Sequence, residues 1–582
     1  MADHERIEVG KSANGSPHDV DKALVDNHMP VITFRAFIMC ALVSMGGIMF
    51  GYDCGSIAGY LQMPDFQSRF ANRTPSGGYE WPPALSGILV GGWPIGACIG
   101  ALAAAKPADT YGRKWCISGW AGVHVVGTLI QITAMSSVGQ MIAGRVICGI
   151  GVGALSVLVP MYMGESSPTL IRGALVSAYQ LFVTLGILLS NLINFGTSNV
   201  SGSAQWRITA GIGFLWSGTL AFGMIFMKES PRYAYRKGRA EEARQTMAVL
   251  HGVPPNHVVI ESQTHELGLA LAEEERAGKA SFFETFKLPR MRYRVFLGVF
   301  LHAGQQFTGA NYFFYYGTTV FRATGISNSF VTQIILGAVN CIMTFPGLWM
   351  VEHLGRRVCL VGGALWMGMC FLVFSSLGAF RLNPDTATSV GGAMIAFACL
   401  FISGFASTWG PLVWGVSSEL FPTPVRANCS SLVTAVNWTC NFLIGFFTPY
   451  ITNAVGFSYG YVFAGCCIVE AVVVYSCLIE SHDRTLEEID AMYVHHVNPI
   501  TSAKWTPPPH LAEEIHGPEG PPPPPEGGRR KSLSAVEVAT GATPFRLYSM
   551  APTRRESHTM AGRTRAPSGL PKSGLPGIPD SV

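Results

Sequence analysis

Apolar stretches of roughly 20 residues, each long enough to cross a lipid bilayer, recur twelve times along this 582-residue chain. They begin near Ala36, Ala84, Cys116, Met141, Gly173, Ile208, Arg294, Val331, Val358, Gly391, Ser431 and Tyr459. A helix apolar on every side has no face to offer water. The chain therefore reads as an all-α integral membrane protein with twelve transmembrane helices. Charged residues make up 13% of it, about half the roughly 25% of a soluble domain. The net charge of +4 gives no reason to expect nucleic acid. Residues 1–30 are polar and carry no signal-peptide pattern, so the first apolar helix is expected to insert the chain. Nearly all of the fourteen cysteines fall inside apolar segments. They read as small core residues rather than a disulfide framework.

Charge sets the orientation. With the N-terminus inside, the inner loops hold Lys106, Arg113, Lys114, Arg172, Arg356, Arg357 and Arg426, and a dense basic set runs from Lys228 to Arg294. The outer loops hold only Arg69, Arg73, Arg207, Arg322 and Arg381. Positive charge favours the cytoplasm, so both termini are expected there. The expected organisation is a cytoplasmic segment (1–35), a six-helix half (36–228), a polar central loop (229–293), a second six-helix half (294–480) and a tail (481–582). The tail contains "GPEGPPPPPEGG" and reads as disordered.

The run "QQFTGANYFFYY", residues 305–316, is the densest polar and aromatic patch inside an apolar stretch. Taking Gln305 as zero on an ideal helix, Gln306 lies at about 100°, Asn311 at about 240° and Tyr312 at about 340°. One straight helix cannot aim these amides at one cavity, and Gly309 offers a break. Broken helices at the midplane are how transporters build sites. Amides both donate and accept, which suits a neutral polyol, and the aromatic rings suit its C–H faces. The plainer reading is that the amides only join helices.

Two motif pairs repeat. "DTYGRK" (109–114) follows the second helix and "EHLGRR" (352–357) the eighth; "ESSPTLIR" (165–172) follows the fourth and "ELFPTPVR" (419–426) the tenth. Two duplicated halves are a transporter signature. With "GYDCGSIAG" (51–59), "GRVICGIGVG" (144–153), "PMYMGESSPTLIRG" (160–173), "ESPR" (229–232), "QQFTGAN" (305–311), "PLVWGVSSELFP" (411–422) and "NWTCNF" (437–442), they resemble the sugar porters of the major facilitator superfamily over about residues 36–490. That superfamily is itself built from two six-helix halves. "FFTPYI" and "TLEEIDAMY" resemble the fungal hexose branch. Two departures stand out: Lys228 precedes "ESPR" where the family has Pro, and "IESHDR" replaces the family's "PETKG".

The resemblance implies the major facilitator fold and a sugar site that adds Gln180, Asn340, Trp414 and Asn441 to Gln305, Gln306 and Asn311. For Trp414 a membrane-interface role is the plainer alternative, and for Asn441 helix joining. Asp53 and Arg145 sit in the outer halves of the first and fourth helices and can meet. Intramembrane charges mark proton relays, and proton-coupled members of the family use such a pair. A structural ion pair and a facilitator without coupling remain the alternatives. Asp109, Arg113, Glu165, Arg172, Glu229, Arg232, Glu352, Arg356, Glu419 and Arg426 are expected to form a cytoplasmic gating network that pairs across the halves and caps helix ends. Glu470, on the last helix, has no evident role.

The expected function is alternating-access transport of a monosaccharide, a hexose such as glucose, with no cofactor, metal or enzymatic activity. No nucleophile–base set or nucleotide loop appears, and "GIGVG" (149–153) reads as close helix packing. The alternative is a sugar sensor signalling through its tail, where "RRKS" and "RRES" resemble kinase sites at Ser532 and Ser557.

Overall fold

The computed structural model describes residues 33–167, 172–277, 286–323, 328–382, 387–422, 425–482, 484 and 486–508. Ser532, Ser557 and the Pro-rich run lie outside the described residues. The membrane helices are Phe34–Tyr60, Pro83–Tyr111, Arg113–Ile132, Val138–Ser166, Arg172–Thr197 and Ala204–Phe226 in the first half. The second half has a seventh helix in two pieces, Met291–Phe307 and Ala310–Ala323, then Ser329–His353 and Arg356–Ser376. Its tenth is also in two pieces, Ala387–Ser407 and Trp409–Leu420, before Arg426–Val455 and Tyr459–Cys477. Ten described stretches are individually long and apolar enough to cross a membrane; one of them, Asn428–Cys477, covers both the eleventh and twelfth helices. The broken seventh helix completes the twelve. Expected and observed starts differ by at most five residues, Ser431 against Arg426.

Lipid offers no hydrogen bonds, so the backbone must satisfy itself within helices. Their ends are capped locally: Thr33 accepts from the Ala36 N–H at 3.1 Å, and Ser137 caps the fourth helix through Gln140. Small residues set close packing. A Cβ on Gly149 would lie 2.1 Å from the Trp93 carbonyl oxygen and one on Gly153 2.0 Å from that of Ala97, which is what "GIGVG" is for. One core cluster fills the first half around Val152, Leu155 and Leu158. Another gathers Phe313, Phe371, Phe401 and Phe463 in the second.

The halves meet at the end remote from the "GRK" and "GRR" loops. Thr318 donates to the Ala58 carbonyl at 2.6 Å, Gln62 to Thr319 at 2.9 Å and Arg322 to Gln62 at 2.9 Å. Asn191 adds a bond to the Gln333 carbonyl at 3.1 Å. Between the first two helices lies a two-stranded antiparallel ladder pairing Asn72 with Glu80 and Arg73 with Tyr79. The central loop holds helices Pro231–Arg236, Ala240–His251 and Val258–Ala277.

One boundary is corrected. Residues 486–508, assigned from sequence to a disordered tail, fold onto the second half. Helix Leu486–Val494 places Asp490 on Arg294 at 2.6 Å. Arg357 donates to the carbonyls of Pro499 at 2.5 Å and Tyr475 at 2.7 Å, and Arg484 to that of Trp505 at 2.7 Å. The buried arginines need acceptors, and the chain after the twelfth helix supplies them.

Candidate functional site

The seventh helix breaks where the angular conflict requires. Thr308 ends the first piece and Gly309, at φ +90°, turns the chain into the second. A Cβ at Gly309 would also lie 2.6 Å from Phe463 and 2.8 Å from Phe371. The break brings the amides into one chain of hydrogen bonds. Gln305 donates to the carbonyls of Trp409 at 2.9 Å and Gly410 at 3.0 Å. Its oxygen accepts from Asn437 at 2.9 Å. Asn437 also donates to the His302 carbonyl at 3.1 Å and accepts from Gln306 at 3.0 Å. Asn311 closes the ladder on Gln306 at 2.6 Å.

The tenth helix breaks at Thr408, where φ is −131° and ψ −81°. Pro411 lies in the first turn of its second piece, where a missing N–H costs nothing. Gln305 thus ties one helix break to another. Gln180, on the fifth helix, reaches this point from the other half: a Cβ on Gly410 would lie 3.6 Å from its Nε2. Asn441 accepts from the Tyr315 hydroxyl at 2.8 Å, and Tyr316 donates to the Gly445 carbonyl. Asn340 is buried in the eighth helix, and its side chain makes no hydrogen bond to the described protein. Trp414 meets the His302 ring edge-on with centroids 4.9 Å apart. Four expected residues, Gln180, Gln305, Gln306 and Asn311, therefore converge at the two breaks. Asn441 sits further along the eleventh helix, and the structure does not link Asn340 to the ladder.

Two residues escaped the sequence reading here. Asn437, in the quoted "NWTCNF", is the hub of the ladder. His302 is fully buried and neither ring nitrogen has a partner. Glu470 is also buried, both carboxyl oxygens unpartnered, against Gly304.

In the first half, Asp53 is not paired as expected. Its Oδ2 lies 2.9 Å from His124 Nε2 on the third helix and accepts from Trp93 Nε1 at 3.0 Å. Arg145, buried on the fourth helix, donates from Nε to the Leu89 carbonyl at 3.3 Å, and its Nη2 has no partner. No ion pair joins Asp53 to Arg145 among the described residues. The two charges face the same region, but the third helix, whose rotation the sequence does not fix, puts an imidazole first in line.

At the loop end, two matching networks repeat. In the first half Arg113 pairs with Glu165 at 3.1 Å, and Ser230 donates to Glu165. Glu229 Oε1 accepts from the N–H groups of Arg113 at 3.0 Å, Lys114 at 3.2 Å and Ser230 at 2.9 Å, capping the third helix. In the second half Arg356 pairs with Glu419 at 3.1 Å, and Ser481 donates to Glu419 at 2.6 Å. Glu480 accepts from the N–H groups of Arg356 at 2.9 Å and Arg357 at 3.1 Å, capping the ninth helix. The shared glycines, Gly112 and Gly355, have φ of +97° and +88°. Burial pushes the Glu229 carboxyl above its ordinary value, against the pull of the three N–H groups.

Glu480 and Ser481 belong to "IESHDR", so the departing motif keeps the "ES" of "ESPR" and its role. Asp109 pairs with Arg113 and Arg236, both at 3.4 Å. The described pairs join residues of a single half, not across halves as expected, because each acid and arginine sit at neighbouring helix ends of one bundle. Arg232 lies in the short helix Pro231–Arg236, Arg172 opens the fifth helix, Glu352 lies near the end of the eighth, and Arg426 donates to the Phe421 carbonyl at 3.0 Å.

Residues 39–493 match the family model "Sugar (and other) transporter". The chain is 42% identical over 476 residues to the low-affinity glucose transporter HXT3 of Saccharomyces cerevisiae, covering 81% of this chain and 84% of that protein. It is 42% identical over 469 residues to the high-affinity fructose transporter ght6 of Schizosaccharomyces pombe, covering 79% and 88%. A structure of the major facilitator proton:xylose symporter XylE bound to 6-bromo-6-deoxy-D-glucose matches with a TM-score of 0.66 at 23% identity, covering 79% of this chain and 99% of that one. That likeness is one of fold. With the two six-helix halves, these matches show that the chain is a multi-pass membrane protein of the sugar transporter family, built on the major facilitator fold.

Proposed function

We propose that this chain is a hexose carrier of the plasma membrane, with both termini cytoplasmic, and that it moves a proton with the sugar. The observation that carries the sugar reading is the uncharged amide ladder where the breaks of the seventh and tenth helices meet, with Gln180 reaching it from the other half. Such a site offers donors and acceptors to hydroxyls and no formal charge. Asn340, Trp414 and Asn441 complete the proposed lining. The relatives named above transport glucose and fructose, which supports a hexose as cargo. The chain acts as a carrier rather than an enzyme. The two "GRK/GRR" networks serve as rigid inner ends on which each half rocks.

Proton coupling rests on the half-buried Asp53 beside His124, since intramembrane acids of this kind mark proton relays. The signalling alternative rests on the tail of residues 481–582, which lies outside the described residues beyond 508, and the relatives above are transporters by name. Ser532 and Ser557 stand as candidate sites for basophilic kinases that set surface abundance.

The test is uptake of labelled glucose and fructose by cells lacking their own hexose carriers, at several external pH values and with an uncoupler. Saturable uptake that concentrates sugar and collapses with the uncoupler supports the whole reading. Uptake that ignores pH and stops at equal concentrations leaves a hexose facilitator and removes the coupling. No uptake of either sugar, with the protein at the surface, removes the hexose reading.

A further inference from the structure

Asp53 does not stand alone. A chain of three polar side chains runs from it through the first half: Asp53 Oδ2 to His124 Nε2 at 2.9 Å, then His124 Nδ1 to Thr128 Oγ1 at 3.5 Å. Thr128 Oγ1 also lies 3.5 Å from Cys148 Sγ. His124 and Thr128 are buried, while 14% of the Asp53 side chain is exposed. The other titratable or charged groups facing this chain are Arg145 and Cys148 on the fourth helix, Tyr52, Cys54 and Tyr60 on the first, and Tyr315 on the seventh. Trp93 on the second helix holds the carboxylate in place.

We propose that His124, and not an exchange between Asp53 and Arg145, carries the coupling proton, with Asp53 as its fixed counter-ion and Thr128 as the group that accommodates both states. The proposal rests on the coupled-carrier reading above.

In the unloaded state the imidazole is neutral. Its Nε2–H donates to the Asp53 carboxylate, and its bare Nδ1 accepts from the Thr128 hydroxyl. Loading adds one proton to Nδ1. The hydroxyl then turns, accepting from Nδ1–H and donating to Cys148 Sγ. A threonine hydroxyl has one hydrogen and two acceptor lone pairs, so it serves both states without a change of rotamer. Asp53 stays ionised throughout, and the Asp53–His124 pair changes from one negative charge to none. The proton comes from water on one face and returns to water on the other. Only an N–H bond forms and breaks. In the arrangement seen, Arg145 does not contact Asp53: its Nε donates to the Leu89 carbonyl, and His124 and Trp93 occupy the carboxylate.

The test uses the full chain, purified and reconstituted in liposomes, with labelled glucose. Two variants are compared with the wild type: His124→Gln, which keeps a donor toward Asp53 but cannot titrate, and Thr128→Val, which leaves the ring and removes the hydroxyl. His124→Gln is expected to lose accumulation driven by an imposed pH gradient and to flatten the pH profile of uptake. A folding defect would instead lower exchange and accumulation together. Thr128→Val is expected to move the midpoint of the pH profile to more acidic values, because protonated Nδ1 has lost its acceptor.

A coupled wild type with an unchanged pH profile in His124→Gln overturns the proposal and leaves the coupling reading standing. A wild type that ignores pH removes the coupling reading and this proposal with it. If His124→Gln does not fold, Thr128→Val decides alone, and an unshifted midpoint overturns the proposal.

Discussion

Replacing Gln305 and Asn311 one at a time separates the scaffold of the ladder from the end proposed to face the sugar. Gln305 spends both N–H groups on the Trp409 and Gly410 carbonyls and accepts from Asn437, all inside the protein and buried. Interhelical hydrogen bonds in membrane proteins average about 0.6 kcal/mol, so Gln305→Ala loses about 2 kcal/mol from three bonds. Carbonyls left unpaired in a dry break raise that to about 4 kcal/mol. Asn311 has one ladder bond, and its side-chain oxygen is uncommitted. Asn311→Ala therefore costs little stability, and it removes bonds to the sugar worth about 0.5–1.5 kcal/mol each. At about 1.4 kcal/mol per decade, that is roughly twofold to tenfold in affinity per bond.

The assay pairs a thermal melt of the detergent-solubilised protein with glucose binding by scintillation proximity. Gln305→Ala should melt markedly lower, and sugar should recover part of the loss. Asn311→Ala should melt near the wild type and bind weakly. The reverse pattern, an unmoved melt for Gln305→Ala and a large shift for Asn311→Ala, would refute the division.

Three further expectations are open to measurement. Gly309→Ala forces an alanine to φ +90°, at about 1–2 kcal/mol, and drives its Cβ against Phe463 and Phe371; uptake per surface molecule should fall sharply, and an unimpaired variant would mean the break tolerates remodelling. A chain ending at Pro508 should transport normally per molecule, whereas one ending at residue 485 loses the Asp490 and Pro499 acceptors of Arg294 and Arg357 and should melt lower. Finally, the raised Glu229 carboxyl means the folded state holds its proton more tightly, so its contribution to stability is full below the ordinary value of 4.5 and fades as pH rises through the raised one. The melting difference between wild type and Glu229→Gln should shift in favour of the variant as pH rises from about 4 toward neutral, and a pH-independent difference would contradict that sign.

The twelve crossings were legible because lipid leaves a backbone no alternative to closed helices, so apolar length alone suffices. The break at Gly309 was legible because three amides in one run cannot share a face. Asn437 was not, since two asparagines of "NWTCNF" compete and nothing in the sequence fixes how the eleventh helix is rotated against the seventh. His124 escaped for the same reason. A lone histidine in an apolar helix gains meaning only when the third helix is placed against the first. Glu480 was hidden by expecting "PETKG", although its "ES" repeats that of "ESPR". Residues 486–508 were grouped with the Pro-rich tail by composition, while the need of Arg294 and Arg357 for acceptors could be seen only in three dimensions.

The ladder of Gln305, Gln306, Asn311 and Asn437 contains no formal charge, and neither does a hexose. Arrival of sugar therefore moves no charge by itself, and the affinity of that step should be blind to the electric field across the bilayer. The field acts on charges, at about 2.3 kcal/mol per charge per 100 mV, and those of the proposed cycle sit in the other half, on Asp53 and His124. Electrical recording thus sees one half of the molecule and isotope binding the other. Any current evoked by adding sugar measures how firmly the two halves are geared together.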